Sequence, residues 1–160
     1  MLPFLSFYKR YYFMDIRVHI KIESSIENLD LSGLPEGDVE KSRSFATGYY
    51  SYSEEKIALS YTEENEGGKA DSEILICDGG VRVKRMGAIE SDLYFKEGES
   101  HSSIYSVPPY KFDATVKTRR IRCELDENGG KIDLFYNMKI GGAEKSARMK
   151  IWISKALNQV

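Results

Sequence analysis

The residue pattern specifies an all-β chain that closes as an antiparallel up-and-down barrel, and three observations lead there. Apolar and polar residues alternate with a period of two: Ile16, Val18, Ile20 and Ile22 interleave with Asp15, Arg17, His19, Lys21 and Glu23. The pattern returns at Ile132, Leu134, Tyr136 and Met138, and again at Ala147, Met149, Ile151 and Ile153. Successive strand side chains point to opposite faces, so each run has one dry face and one wet face. Such runs are joined by glycine-bearing turns, Asp78-Gly79-Gly80, Asn128-Gly129-Gly130 and Gly141-Gly142, where glycine supplies the positive φ of tight hairpins. No helical period of useful length occurs, apart from a stub near the C-terminus. Consecutive hairpins with one dry face must stack on a second sheet or close on themselves, and closure removes exposed edges.

The segments follow in order. Residues 15–26 form the first strand. Residues 27–40 are loop chemistry, rich in Asn, Asp, Ser, Gly and Pro, with Leu29, Leu31 and Leu34 expected to fold back as a lid. Strands are expected at 42–52 and 56–63, the latter with Ile57, Leu59 and Tyr61 inward. Asn65, Gly67 and Gly68 turn into a strand at 72–77, and the Asp78-Gly79-Gly80 hairpin leads into another at 81–86. Gly87-Ala88 marks a turn or bulge before 89–96. The next strand, 101–107, stops at Pro108-Pro109. Residues 110–118 and 119–126 read as two strands, followed by 131–140 and 144–154, eleven segments in all.

A chain of 160 residues suits one domain with a real core. The barrel is expected over residues 14–155. Residues 1–13 read as a tail, with Met14 as the natural start, because Lys9 and Arg10 follow the apolar run where a signal peptide would place charges before it. That run is also too short to span a bilayer. The formal net charge of -2 and pI near 5.8 give no overall electrostatic footprint for nucleic acid, and no membrane partner is expected. The one basic run, Lys117 to Arg122, is split by strand parity: Lys117 and Arg119 on one face, Arg120 and Arg122 on the other. Cys77 and Cys123 lie in apolar-patterned strands and are expected to be buried, reduced thiols, in keeping with a cytoplasmic setting.

The run from Asp78 to Phe112 carries Arg85-x-Gly87-Ala88, then Ser91, Phe95 and Gly98, then Pro109-Tyr110. In that order and spacing, together with the hairpin over residues 127–153, it resembles the YwiB-like family of uncharacterised bacterial proteins. The resemblance covers nearly everything after Met14. Lys111 departs from it, standing where the family usually has Gly. The resemblance implies a fold similar to the calycins, the superfamily of lipocalins and fatty-acid-binding proteins, and implies no activity.

Candidate binding residues are the polar side chains on the dry parity. Val81 and Val83 point inward, which carries Arg85 inward. Ile89, Leu93 and Phe95 do the same for Ser91, and Val107 for Ser103 and Tyr105. A buried guanidinium needs a paired anion, and a ligand carboxylate can meet it bidentately. The competing reading is an arginine that closes the barrel end with its head in water. The expectation is a non-enzymatic barrel binding a small apolar or amphipathic acid at Arg85, Ser91, Ser103 and Tyr105. Its inner wall would include Ile16, Val18, Ile20, Leu59, Leu93, Phe95, Leu134 and Met138. The alternative is an interaction module, or a homodimer, using outward aromatics Tyr50, Tyr94, Phe135 and Trp152. No nucleophile elbow, no phosphate loop, no cofactor motif and no metal-ligand spacing is present. His19 falls on the wet face; His101 has no carboxylate at a fixed spacing, and a third reading, an enzyme using His101 at the barrel mouth, needs a partner carboxylate within hydrogen-bond reach.

Overall fold

A computed structural model describes residues 15–65 and 67–156. The expected N-terminal tail, the Met14 start and the C-terminal helical stub lie outside these residues. Ten strands occur among the described residues: β1 (Ile16–Asn28), β2 (Glu40–Tyr52), β3 (Lys56–Asn65), β4 (Gly68–Cys77), β5 (Gly80–Gly87), β6 (Ser91–Phe95), β7 (Ser100–Val107), β8 (Tyr110–Asp126), β9 (Gly129–Ile140) and β10 (Ala143–Lys155). They form one antiparallel sheet in the order β6-β5-β4-β3-β2-β1-β10-β9-β8-β7. β1 and β10 pair along almost their whole length, from Val18↔Lys155 to Asn28↔Lys145, so the first and last strands lock side by side.

The sheet wraps into a barrel that is nearly closed, with one unsealed seam between β6 and β7. This corrects the expectation of full closure. Along the seam a single bridge joins Glu90 and Ser106, each N–H donating to the other's carbonyl at 2.8 Å. The cause lies in the connection over residues 96–99. Gly98 N–H donates to the Thr118 carbonyl (2.9 Å) and Thr118 N–H to the Glu99 carbonyl (3.1 Å). The connection is thus tied to β8 instead of laying β7 flat against β6. Side chains cover part of the gap: Tyr94 and His101 meet edge to face at 4.8 Å between ring centres.

The eleven expected segments become ten strands because residues 110–126 are continuous as β8, with a β-bulge between Thr118 and Arg120. A bulge adds one unpaired residue and resets parity beyond it. Lys117 pairs with Asn137, Arg120 with Phe135 and Arg122 with Asp133, all on the outer face. The expected split of this basic run is therefore corrected: the bulge brings Arg120 and Arg122 to the face of Lys117.

The core lies between the inner faces. Val18, Ile20, Leu59, Val83, Phe95 and Leu134 are almost wholly buried, and the other expected wall residues join them, Ile16 as a partly buried neighbour. Three expectations fail. Tyr50 is inward and 1% exposed, and Tyr49 is the outward member of the pair. The Tyr50 hydroxyl donates to the Asp126 carbonyl at 2.7 Å. Leu31 and Leu34 stand exposed instead of forming a lid. Asp30 Oδ1 accepts from the N–H groups of Ser32 and Leu34, closing that loop into a local turn of its own. Cys77 is half-buried and Cys123 exposed, and both are free thiols.

Gly48 holds one close approach in the wall. It faces Val18 on β1 and Tyr61 on β3. A Cβ at this position would collide with the Ser60 carbonyl and press on Tyr61 and Ile20. Because the obstacle is backbone, a side chain here forces the β2–β3 pair apart. Gly48→Ala is expected to lower stability by about 1–3 kcal/mol, read as a lower urea midpoint; an unchanged midpoint would show that β2 and β3 are not held this close.

Candidate functional site

The register lines up a cross-strand row on the inner face: Ser91 on β6, Arg85 on β5, Ser72 on β4, Tyr61 on β3 and Gly48 on β2. Ser91 and Ser72 flank Arg85 directly, and both are buried. Glu63, two residues beyond Tyr61 on the same face, reaches back with its Oε2 3.4 Å from Arg85 Nε. Ser72 Oγ donates to the same carboxylate oxygen at 3.3 Å. Only about one sixth of either charged side chain is exposed (15% for Arg85 and 17% for Glu63), so the pair sits in the wall interior and not at a rim.

The expected placement of Arg85 and Ser91 is thus found. Ser103 and Tyr105 take the same inward parity on β7 and are half-buried. Tyr105 and Tyr136 lie within electrostatic range of Arg85. Residues that sequence parity alone did not flag complete the cluster: Glu63, Tyr61, Ser72 and Tyr136. The sequence does carry a signal, since the alternation puts Tyr61 and Tyr136 on the inward parity and Glu63 continues the parity of Tyr61. Among the described residues, Arg85 Nε, Ser91 Oγ and Ser103 Oγ are buried without a hydrogen-bond partner. Unsatisfied buried polar groups are uncommon, and two on directly paired residues, Arg85 and Ser91, call for an explanation.

Burial opposes the charge on Arg85, but the Glu63 carboxylate beside it prevails and holds the guanidinium above its ordinary range. Burial pushes the Tyr61 phenol up to about 12, with Glu63 adding to it and Arg85 opposing. Burial likewise pushes Tyr136 up to about 12, again against Arg85.

A second feature lies at the seam. An open groove of about 510 Å3 is lined by residues including Arg82, Asp92, Tyr94, His101 and Ser103. His101 Nε2 stands 3.0 Å from Glu99 Oε1. The imidazole thus has the carboxylate that sequence spacing did not reveal, because Glu99 precedes β7 in the turn. Ser102 Oγ is taken by Thr115 Oγ1 at 3.0 Å. Ser103 lines this groove and also belongs to the inward parity of β7, so the seam is where outside and inside meet. Among the described residues, no group of His, Cys, Asp and Glu is arranged to hold a metal, and no helix is long and apolar enough to cross a membrane.

Residues 19–153 match the family described as a domain of unknown function (DUF1934). The chain belongs to this family. It is 31% identical over 99 residues to the uncharacterized beta-barrel protein YwiB of Bacillus subtilis (strain 168), covering 62% of this chain and 70% of that protein. The crystal structure of the ywiB protein from Bacillus subtilis superimposes with a TM-score of 0.78 at 26% identity, over 90% of this chain and 94% of that one. The YwiB resemblance read from the motifs of β5 to β8 is therefore shown. The DUF1934 match takes in the whole row from Gly48 to Ser91, so the polar cluster lies inside the family domain.

The phenols set an alkaline limit. Below pH 10 Tyr61 and Tyr136 are neutral in both folded and unfolded chains. Between pH 10 and 12 the unfolded chain gives up these protons while the native barrel keeps them, so stability falls as pH rises. The expected slope is up to about 1.4 kcal/mol per pH unit for each phenol. Urea midpoints from pH 9 to 11.5 check this, and Tyr61→Phe should flatten the decline; a flat profile in the parent protein would place the phenols in water.

Proposed function

We propose that this protein is a non-enzymatic, calycin-like binding barrel that takes the head group of a small amphipathic acid at Arg85. The observation that carries the reading is a set of buried polar groups with no hydrogen bond among the described residues, Arg85 Nε, Ser91 Oγ and Ser103 Oγ, with the phenols of Tyr61, Tyr105 and Tyr136 within electrostatic range of Arg85. A guanidinium has five N–H donors, and the Glu63 oxygen at 3.4 Å does not saturate them. A ligand acid would share Arg85 with Glu63 and accept from the serines, while its apolar part extends toward the end of the barrel at Tyr105 and Phe112. Pockets of this kind pair a mostly apolar wall with a few fixed polar groups. Phe112 supports an open end on this side: it pairs with Tyr105, follows the inward parity of Ala114 and Val116, and is 42% exposed. The two free thiols fit a cytoplasmic, reducing setting.

The test is native mass spectrometry of the protein purified from its own cells. Arg85→Ala alone is a poor probe, since it strands the Glu63 carboxylate in the wall at a cost of about 3–5 kcal/mol. Arg85→Met combined with Glu63→Gln removes both charges and keeps the volume. A small-mass adduct on the parent protein that disappears in the folded double variant is the expected result. A bare parent protein, with both variants changed only in stability, would make Arg85 a structural residue.

A further inference from the structure

The outer wall opposite the seam is strongly basic, and we propose that it binds single-stranded nucleic acid running across the strands. The register places its side chains in rows. One row reads Lys41, Ser25, Arg148, Phe135, Arg120 across β2, β1, β10, β9 and β8. The next reads Arg43, Glu23, Lys150, Asp133, Arg122, and a third Phe45, Lys21, Trp152, Lys131, Glu124. Cations thus outnumber the carboxylates Glu23, Asp133 and Glu124 on this wall, in a chain whose formal net charge is -2. In each of the first two rows they recur on β2, β10 and β8, about 10 Å apart, with about 7 Å between the rows. An open groove of about 460 Å3 is lined by Lys41, Arg43, Arg148 and Lys150 together with Glu23, which is ion-paired to Arg43 at 2.8 Å and leaves the other three cations in excess there. The loop between β1 and β2, with Asp30, Glu36 and Asp38, adjoins this wall and bounds it with negative charge.

Aromatic rings are interleaved with these cations. Lys21 Nζ lies 4.1 Å from the Trp152 ring centre, and the Arg148 guanidinium 4.7 Å from that of Phe135. Phe45, beside Lys21, is 72% exposed. Cations that track a backbone and rings on which bases stack are the two parts of a sequence-tolerant single-strand site. An acidic protein would use the charges but not the rings. Curvature separates the remaining candidates. The wall covers five of the ten strands of a barrel, so its rows bend around the cylinder. A flexible single strand can follow that bend. A flat bilayer touches only its crest, and duplex DNA is stiff over about 150 base pairs. The whole-chain charge conceals the site, and the β8 bulge completes it by turning Arg120 and Arg122 to the same side as Lys117. The site uses the opposite face of the wall from Arg85 and stands independently of the interior reading.

The experiment is fluorescence anisotropy with a labelled uridine oligonucleotide about fifteen nucleotides long, at salt from about 50 to 200 mM. The variants are Lys41→Glu/Lys150→Glu/Arg120→Glu and, as a control of equal charge change elsewhere, Lys69→Glu/Lys84→Glu/Lys96→Glu, each checked for folding by circular dichroism. The expected results are saturable binding that weakens with salt, a loss of about tenfold or more in the first variant and a smaller loss in the control. Phe45→Ala should cost about fivefold or more through lost stacking. Absence of binding at the lowest salt overturns the proposal, as does an equal loss in both triple variants. So does competition by polyglutamate or phosphatidylserine vesicles as effective as that by unlabelled oligonucleotide, which would point to an acidic protein or a membrane.

Discussion

The register of the antiparallel ladder is the constraint on which the rest depends. Because side chains alternate with a period of two, a slip of one residue would exchange the dry face and the wet face of a whole strand. Val18, Ile20 and Ile22 on β1 and Ile151 and Ile153 on β10 are buried together, and their pairing from Ile20↔Ile153 to Ile22↔Ile151 opposes any one-residue slip. Once the first and last strands are locked in this way, the hairpins between them fall into place as neighbours. The same alternation gives the wall two chemically separate faces, one presented to the interior and one to the surroundings.

The interior face is not uniformly apolar, and that departure has an energetic cost. Taking a guanidinium and a carboxylate out of water costs several kcal/mol per ion, which a single contact at 3.4 Å offsets only in part. Valine and leucine at these positions would extend the core of β5 and β3 without that cost. The barrel instead carries Arg85 and Glu63 within reach of three phenols and two unpartnered serine hydroxyls. Polar residues set against the local hydrophobic pattern in this manner are the places where a function is most economically sought.

The outer face shows how a fold redistributes charge. Acidic residues gather in the loop between β1 and β2 and in the turns at residues 53–55 and 97–99, while the strands β2, β1, β10, β9 and β8 carry the cations outward. Some are neutralised locally: Arg148 makes two hydrogen bonds to Asp133, at 3.1 and 2.8 Å, and holds that carboxyl below its usual range. Others, such as Lys41 and Arg120, stand outward on exposed strands. Two faces of one sheet thus carry unrelated chemistry, as the independence of alternate positions permits.

The barrel architecture, most strand limits and the inward parity of Arg85, Ser91, Ser103 and Tyr105 were legible in the chain itself, because periodicity and turn glycines are local and each strand writes its own faces. Segments without clean alternation were not. The run around Tyr49 and Tyr50 has no regular pattern, so which tyrosine enters the core was settled by the β1 and β3 strands beside it. Glu63 and Glu99 became partners of Arg85 and His101 only through contacts made across strands and turns. The seam between β6 and β7, and the bulge that gathers Lys117, Arg120 and Arg122, depend on hydrogen bonds between residues far apart in sequence. Local alternation decides which side of a strand is dry; pairing over distance decides which residues meet.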